Sequence, residues 1–377
     1  MIVTGEMSGE MHAVRLVTEL QKRIPITFSG VGSVGLSRCG VDVVHDYRNI
    51  SLMGLSEVFS KLGHVWEAYR ALKRHLIDIS PSLLILVDFP GFNLRVARMA
   101  HHLGIPVVYF IPPQIWAWRK RRIHFIKKYV SMVISVLPFE KPLYEEHGVE
   151  VHYIGHPFVQ TVKPRYSRAD FLSMLEIPEE ATIITVMPGS RENEITKHLP
   201  VLLETIALMR RRLQNLVVLM PLSDNTDERS IAQLLKGKEK VMLLKGYTYD
   251  ALSASQMALI ASGSATLEAA LLGTPSIVLY RLSGLSYLLA RLLVKVDYVS
   301  LPNLIAGKEV FPEYIQHLDP ERIAKKALSM LNNKGDEQRK QLEEIRQKLA
   351  GHDSYSMASR EIVQLLERIY GPIPQTS

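Results

Sequence analysis

Short runs of β-branched and other apolar residues alternate with helical patterns along the whole chain. One series of runs lies at 1–4, 27–30, 83–87, 107–110, 132–136 and 151–154. A second series lies at 183–187, 216–220, 241–244, 257–261 and 276–279. Strands that alternate with helices are typical of βαβ units and parallel sheets. The pattern therefore predicts an α/β fold with two Rossmann-like domains.

A polar passage at 163–168 separates the two series and is interpreted as the linker. We expect an N-terminal domain at 1–165 and a C-terminal domain at 166–345. A C-terminal helix within 346–377 is expected to pack back on the N-terminal domain and to end in a frayed, proline-rich tail. Ligands of open α/β sheets bind at the carboxyl ends of the strands, and pockets favour domain interfaces. A ligand site is therefore expected in a cleft between the two domains.

The composition of the 377 residues is that of a globular protein, with 47% hydrophobic and 22% charged residues. The single cysteine, Cys39, excludes a disulfide framework and any multi-cysteine metal site. His101 and His102 lack the further ligands that a metal site needs, so no metal is expected. The N-terminus does not have the pattern of a signal peptide, and no run of about 18 apolar residues is free of charge. We therefore expect neither a signal peptide nor a transmembrane helix.

The charge is unevenly distributed along the chain. The formal net charge is +7, and the segment 89–139 has no acidic residue but several arginines and lysines. An excess of positive charge favours an anionic partner. A solvated basic face, a nucleotide, a nucleic acid and an anionic lipid all remain open on charge alone.

A strand–turn–helix pattern at 183–195 indicates a phosphate site. The strand runs into Pro-Gly-Ser-Arg at 188–191, and a helix is predicted from about Glu192. Gly189 lets the backbone approach a ligand closely, and Ser190 can cap the helix. The helix N-terminus and the Arg191 guanidinium both favour a phosphate. A capped turn with a surface arginine is the alternative.

A second turn of this kind follows the strand at 257–261. Gly263 and Ser264 open a predicted helix, and Glu268 in its first turns can accept hydrogen bonds from ribose hydroxyls. Compensation of the helix dipole is the alternative role for Glu268. Two such turns in one half of the chain predict that it binds a nucleoside diphosphate. The chain lacks the G-x-G-x-x-G and P-loop patterns, which disfavours a dinucleotide and P-loop chemistry.

Asp88 ends the apolar strand at 83–87, at the border of the acid-free segment. Such a carboxylate at a strand tip suggests a general base that takes a proton from a substrate hydroxyl. Charge balance or helix capping is the alternative. Asn93, five residues later, either positions a substrate hydroxyl or supports the loop.

An apolar stripe at helical spacing runs from Leu55 to Tyr69. Such a stripe usually faces the core. A membrane-surface helix is the alternative, and it is favoured by the run 116–122, where two tryptophans adjoin four cations. The same run can also stack on nucleobases.

Six motifs then occur in a fixed order. They are Gly5-Glu6-x-Ser8-Gly9, Asp88-x-Pro90-x-Phe92-Asn93, Trp116-Ala117-Trp118-Arg119, Leu137-Pro138-Phe139-Glu140, Pro188-Gly189-Ser190-Arg191-x-x-Glu194-Ile195 and Asp297-Tyr298-Val299-Ser300-Leu301-Pro302-Asn303. The series resembles the lipid-A-disaccharide synthases, bacterial inverting glycosyltransferases of the GT-B type, from residue 1 to about 310. The family usually has Ala where Met7 stands and Asp where Glu10 stands.

The resemblance implies a GT-B fold, in which two Rossmann-like domains face each other across a cleft. It also implies the joining of UDP-2,3-diacylglucosamine to 2,3-diacylglucosamine 1-phosphate, which gives a β-1,6-linked lipid A disaccharide 1-phosphate and UDP. No cofactor and no nucleic acid are expected. The implied location is the cytoplasmic face of the inner membrane, in peripheral contact with anionic lipid. The oligomeric state stays open.

The resemblance also assigns roles to residues. Asp88 is the expected base for the acceptor's 6-hydroxyl. The expected UDP site consists of Gly189, Ser190, Arg191, Gly263, Ser264, Glu268 and Asn303. The expected acceptor side and first loop contain Ser8, Asn93, Trp118 and Arg119. The expected membrane contact consists of Leu55, Val58, Phe59, Leu62, Trp66, Arg121 and Arg122.

Two other functions remain as alternatives. One is a different GT-B enzyme that acts on a UDP-sugar, such as the peptidoglycan N-acetylglucosaminyltransferase or a UDP-N-acetylglucosamine 2-epimerase. The other is a basic nucleic-acid-binding protein, which would leave the two nucleotide turns unused.

Overall fold

The computed structural model describes residues 1–49, 58–116, 122–222, 226, 228–235, 240–282, 296–333, 335–350 and 353–374. The chain divides into two compact units. Unit 1 comprises residues 1–157 and 351–377, and unit 2 comprises residues 158–350. The boundaries therefore differ from the predicted ones, which were 165 and 345.

Unit 1 is built on a parallel sheet. Its strands are β1 (Ile2–Val3), β2 (Phe28–Gly32), β3 (Val41–Asp46), β4 (Leu84–Val87), β5 (Val107–Phe110), β6 (Met132–Ser135) and β7 (Val151–Tyr153). They are ordered β3-β2-β1-β4-β5-β6-β7, and every neighbouring pair is parallel. The edge strand β3 was not predicted from the sequence.

Helices cover the faces of this sheet. They are α1 (Met7–Arg23), α2 (Val34–Arg38), α3 (Val58–Ile79), α4 (Pro90–His102), α5 (Arg122–Tyr129) and α6 (Glu140–Glu146). Apolar residues of β4 and β5, such as Leu86 and Tyr109, are fully buried against helix residues such as Leu72 and Val96. This burial supplies the main stabilisation of the unit.

Unit 2 repeats the architecture. Its strands are β8 (Thr182–Met187), β9 (Leu216–Leu222), β10 (Met242–Lys245), β11 (Met257–Ala261), β12 (Ser276–Tyr280) and β13 (Glu313–Ile315). The order β10-β9-β8-β11-β12-β13 is again parallel throughout. The described helices are α7 (Phe158–Thr161), α8 (Arg168–Met174), α9 (Glu192–Arg210), α10 (Glu228–Leu235), α11 (Thr248–Ala254), α12 (Ser264–Leu271), α13 (Leu301–Ala306), α14 (Pro320–Asn332) and α15 (Asp336–Leu349).

The last described helix, α16 (Ser354–Tyr370), packs against α1 of unit 1. Polar contacts accompany the packing: Arg23 Nε donates to Ser359 Oγ at 2.6 Å, and His12 Nδ1 lies 2.8 Å from the Tyr355 hydroxyl. The C-terminal segment thus returns to the unit in which the chain begins.

The predicted linker at 163–168 is anchored to unit 2. The backbone N–H groups of Arg165 and Tyr166 donate to Asp250 Oδ1 at 2.6 and 3.1 Å. The Arg165 guanidinium also lies over the Tyr247 ring, 4.6 Å from its centroid. The polar composition of this passage therefore reflects specific contacts with unit 2 and does not mark a free connection.

Each sheet has a topological switch point, where the chain leaves two neighbouring strands in opposite directions. It lies between β1 and β4 in unit 1 and between β8 and β11 in unit 2. Ligands of open α/β sheets bind beyond the carboxyl ends of the strands at such points. A ligand site is therefore expected at the residues that follow β1, β4, β8 and β11. Among the described helices, none is long and apolar enough to cross a membrane.

Candidate active site

Asp88 lies at the switch point of unit 1, in a strained turn. Asp88 and Phe89 both have left-handed backbone conformations, with φ of 48° and 47°. Such non-glycine residues cost about 1–3 kcal/mol each and persist only where the surroundings enforce them. Here Asn93 Nδ2 donates to the carbonyls of Val87 (3.1 Å) and Asp88 (2.8 Å), and the Tyr109 hydroxyl donates to the Asp88 carbonyl (2.9 Å). Three hydrogen bonds thus hold the turn that carries Asp88.

The first-loop motif lies against this turn. A Cβ at Gly5 would lie 2.2 Å from ring atoms of Phe89, and a Cβ at Gly9 would lie 2.7 Å from Thr4 Oγ1. Gly5 therefore cannot carry a side chain while Phe89 keeps this position. Ser8, in the first turn of α1, is exposed. The motifs that begin at Gly5 and at Asp88 are thus parts of one structure.

The surroundings of Asp88 make its carboxylate a stronger base. Burial, and after it the nearby Glu6 carboxylate, raise the pKa of Asp88 to about 6, and a backbone hydrogen bond from Phe89 opposes the shift. A general base works best when its pKa lies near the working pH. At pH 7 the Asp88 carboxyl is still mostly ionised, so it can accept a proton and is also a stronger base than an ordinary aspartate.

The hydrogen bonds of Asn93 are those of a residue that supports the loop after Asp88. Its side chain is fully buried, and both protons of its amide are donated to backbone carbonyls. Its Oδ1 is buried and has no hydrogen-bond partner within the described part of the chain. Asn93 therefore supports the Asp88 turn, and its Nδ2 has no proton left to donate to a substrate hydroxyl.

The Trp-Ala-Trp-Arg motif is only partly described: Trp118, Arg119 and Arg121 lie outside the described residues. Trp116 packs edge-on against Phe139, with ring centroids 5.1 Å apart, and its Nε1 donates to Glu140 Oε1 at 3.2 Å. Burial raises the pKa of Glu140 to about 8. Two motifs are thus joined through a buried acid, Glu140, whose role was not predicted from the sequence. Its only signal was its place in Leu-Pro-Phe-Glu.

The predicted membrane stripe is described only in its last turns. Leu55 lies outside the described residues, as do the side chains of Val58, Phe59 and Leu62, whose backbone is helical. The Trp66 side chain is 55% exposed and stacks on Tyr69, which packs on the core. Arg122 is half-buried at the start of α5. In the described part of the stripe, one aromatic residue faces solvent and the next faces the core.

In unit 2, the turn after β8 is held from two sides. Gly189 has a φ of 118°, a value that favours glycine. The N–H groups of Ser190 and Arg191 both donate to Glu194 Oε2, at 3.1 and 3.4 Å. Helix α9 begins at Glu192, so Arg191 occupies the N-cap position that was predicted for Ser190.

His198 fixes the same turn from below. This ring is buried; its Nδ1 donates to the Pro188 carbonyl at 2.9 Å, and its Nε2 accepts from the Arg281 N–H at 3.1 Å. Burial lowers the pKa of His198, which keeps the ring neutral and Nε2 able to accept. Because Arg281 directly follows β12, His198 links two loops at the same edge of the sheet. Neither Glu194 nor His198 was identified as functional from the sequence.

The second predicted phosphate turn follows β11, which pairs directly with β8. Gly263 and Ser264 are exposed, and a Cβ at Gly263 would meet nothing within 4 Å. Glu268 lies one turn into α12, where the Tyr249 hydroxyl approaches its Oε1 at 3.5 Å. Burial raises the pKa of Glu268 to about 6. The turn is thus open to a ligand, with a partly desolvated acceptor beside it.

Asn303 differs from its predicted role. It is fully buried, and its Oδ1 accepts from the N–H groups of Val310 and Phe311, both at 2.8 Å. Its Nδ2 donates to the Phe311 carbonyl and to Glu313 Oε1, again at 2.8 Å. The amide has no hydrogen-bonding group left for a nucleotide. Asn303 therefore holds the segment 310–313 in place.

The site residues thus form two clusters, one in each unit. Within unit 1 they collect around Asp88, and within unit 2 they collect at the two turns after β8 and β11. Among the described residues, no group of three or more His, Cys, Asp or Glu side chains is arranged to hold a metal ion.

Comparison with known proteins identifies the family. A family model described as lipid-A-disaccharide synthetase matches residues 1–366. The chain belongs to the lipid-A-disaccharide synthase family. The lipid-A-disaccharide synthase of Syntrophus aciditrophicus is 43% identical over 335 residues, which cover 88% of each chain. That of Myxococcus xanthus is 36% identical over 371 residues, which cover 97% of each chain.

Solved structures are similar in fold to this member of the lipid-A-disaccharide synthase family. The UDP-GlcNAc 2-epimerase of Neisseria meningitidis, bound to UDP-GlcNAc, matches with a TM-score of 0.63 and 16% identity over 97% of this chain and 99% of its own. The glycosyltransferase of kitacinnamycin matches with a TM-score of 0.64 and 13% identity over 96% and 97%. These matches confirm the predicted GT-B-type fold of two Rossmann-like domains.

Proposed function

We propose that this enzyme joins UDP-2,3-diacylglucosamine to 2,3-diacylglucosamine 1-phosphate and forms a β-1,6-linked disaccharide 1-phosphate and UDP. Family membership makes the chain a glycosyltransferase of lipid A disaccharide synthesis, which uses a UDP-sugar donor and a sugar-phosphate acceptor. The alternative of a UDP-N-acetylglucosamine 2-epimerase rests on likeness of fold alone. The two specific substrates are the proposal.

The single observation that carries the catalytic part is the environment of Asp88. A half-buried carboxylate whose pKa is raised to about 6 directly follows β4 at the switch point of unit 1. We propose that the Asp88 carboxylate takes the proton from the acceptor's 6-hydroxyl. As that proton leaves, O6 attacks the anomeric carbon of the donor, and the bond from this carbon to the UDP oxygen breaks. One displacement of this kind inverts the anomeric configuration and needs a single base.

The leaving diphosphate needs compensation for its developing charge. We assign this role to the turn 188–191, which combines the Arg191 guanidinium with the N-terminus of the 19-residue helix α9. Preorganised cations and backbone N–H groups stabilise charge that develops in a transition state. Gly263 and Ser264 are proposed to add the second turn, and Glu268 is proposed to accept from the ribose. Ser8 keeps its proposed place beside the acceptor.

We further propose that the enzyme works in peripheral contact with anionic lipid at the cytoplasmic face of the inner membrane. Both substrates carry acyl chains, the net charge is +7, and the aromatic ring of Trp66 is exposed beside the Arg70 guanidinium, 5.1 Å from its centroid. Aromatic and basic side chains together suit a lipid headgroup region.

The proposal is tested by incubating the purified chain with the two substrates and analysing the products by mass spectrometry. The expected result is a tetraacyl disaccharide 1-phosphate and one UDP per disaccharide. The matched control replaces the acceptor with its 6-deoxy analogue, which has no hydroxyl to deprotonate and should give no disaccharide. UDP release without a disaccharide, or no reaction with the authentic pair, would contradict the proposal.

A further inference from the structure

In unit 2, the turn 188–191 already binds a negatively charged side chain of its own chain, that of Glu194. The carboxylate of Glu194 accepts from the N–H groups of Ser190 and Arg191 through one oxygen, Oε2. Its other oxygen, Oε1, lies 3.7 Å from Nη1 of Arg191. Two backbone donors and one guanidinium are the partners that a phosphate would use at a helix N-terminus.

The carboxylate also fills the space in front of the glycine. A Cβ at Gly189 would lie 2.5 Å from Glu194 Oε2 and 2.6 Å from Glu194 Cβ. The close approach that Gly189 permits is therefore taken by a side chain of the same helix. A phosphate oxygen cannot occupy this space while Glu194 stays in it.

The contact between Glu194 and the turn 188–191 can be broken at a small cost in free energy. The Arg191 side chain is 79% exposed and the Glu194 side chain 35% exposed, so both have solvent to turn into. Exposed ion pairs of this kind are weak, at about 0–1 kcal/mol. The backbone of the turn is held independently, because His198 binds the Pro188 carbonyl from a buried position. The turn can thus keep its shape when Glu194 leaves.

We propose that Glu194 is an internal competitor for the donor diphosphate: it occupies the phosphate-binding groups of the turn 188–191 in the unliganded enzyme, and UDP displaces it. This inference rests on the proposed function. The competition lowers the affinity for UDP, because the binding free energy must replace the contacts of the carboxylate. It also favours release of the UDP product, because Glu194 can return to the groups that the phosphate vacates.

The test compares UDP binding by calorimetry in the wild type, Glu194→Gln and the matched control Glu192→Gln. Glu192 lies in the same first turn of α9, is exposed, and its carboxylate has no hydrogen-bond partner among the described residues. Both substitutions remove one negative charge near the turn, but only the first weakens the internal acceptor. A hydrogen bond to a charged group is stronger than one to a neutral group by about 1 kcal/mol, so UDP has less internal binding energy to replace in Glu194→Gln. This variant should therefore bind UDP about fivefold to tenfold more tightly than Glu192→Gln.

Two further measurements separate competition from structural effects. Binding of uridine, which has no phosphate, is followed by NMR titration and should be the same in all three proteins. Glu194→Ala, which removes the competing acceptor altogether, should bind UDP at least as tightly as Glu194→Gln, while thermal unfolding monitors the loss of its helix cap.

The outcomes are distinguishable. Equal UDP affinities in Glu194→Gln and Glu192→Gln, or weaker UDP binding in both Glu194 variants, would overturn the inference and leave the proposed function intact. A wild-type protein that binds no UDP would overturn the proposed function and this inference with it.

Discussion

If Asp88 is the base, the acid limb of the pH–rate profile reports its pKa. The base must be ionised, and burial together with Glu6 raises its pKa from 3.8 to about 6. Activity is therefore lost as the pH falls through about 6. With this pKa about nine-tenths of the carboxyl is ionised at pH 7 and about one-tenth at pH 5, so kcat/KM should fall about tenfold between them. An unperturbed aspartate would remain more than about nine-tenths ionised at pH 5.

The assay measures kcat/KM for the acceptor between pH 4.5 and 8, since this parameter reports groups of the free enzyme and the free substrate. The acceptor's phosphate also titrates near pH 6, at about the second pKa of a phosphate monoester. A variant resolves the two. Glu6→Gln removes the neighbouring negative charge, so it should move the limb to lower pH without affecting the phosphate. Glu67→Gln removes an exposed carboxylate of the same unit and should leave the limb in place.

Two results would refute this reasoning. A profile that is flat from pH 5 to 7 would show that no group with a pKa near 6 must lose its proton. A limb at the same pH in the wild type, Glu6→Gln and Glu67→Gln would contradict the contribution of Glu6 to the pKa of Asp88 and would make the acceptor's phosphate a sufficient cause of the limb.

Three other changes test the supporting structure. Asn303→Ala removes four buried hydrogen bonds, so the free energy of unfolding in urea should fall by about 3–5 kcal/mol; unchanged stability with lost UDP affinity would restore the predicted nucleotide contact. His198→Ala should raise KM for the donor about tenfold, and His198→Asn, which can still donate to Pro188, should recover part of it; an unchanged KM would remove His198 as a positioning residue. The folded-state pKa of Glu140 is raised from 4.5 to about 8, so the wild type loses stability as the pH rises between these values, whereas Glu140→Gln does not. The free energy of unfolding of Glu140→Gln, relative to that of the wild type, should therefore increase by about 1 kcal/mol for each pH unit of that rise; a difference that does not change with pH would contradict the raised pKa.

The sheets were largely predictable from the sequence because their central strands are continuous apolar runs. The predicted run at 107–110 and β5 have the same limits, as do the run at 257–261 and β11. The two strands that the pattern missed, β3 and β13, lie at the edges of their sheets. Their residues are mostly half-buried and include Asp42, Asp46 and Glu313, so their hydrophobicity does not stand out from that of a loop.

For the site, residue type and strand position were enough to select Asp88, Arg191 and Glu268 as candidates. They were not enough to separate a residue that contacts a ligand from one that holds a loop. Asn93 and Asn303 are amides in functional motifs, and only their hydrogen bonds show that their amide protons are donated within the protein. His198 was missed because a lone histidine within a helix has no distinguishing sequence pattern, and only its two hydrogen bonds show its role.

The most direct test of the account is the rate of disaccharide formation by Asp88→Asn, with UDP affinity measured on the same protein. The variant is expected to fold, since burial already disfavours the carboxylate that it removes. Loss of a general base typically costs about 10²–10⁴-fold in rate, so turnover should fall by that factor while UDP binding stays unchanged. Turnover within about tenfold of the wild type would contradict the assignment of Asp88 as the base.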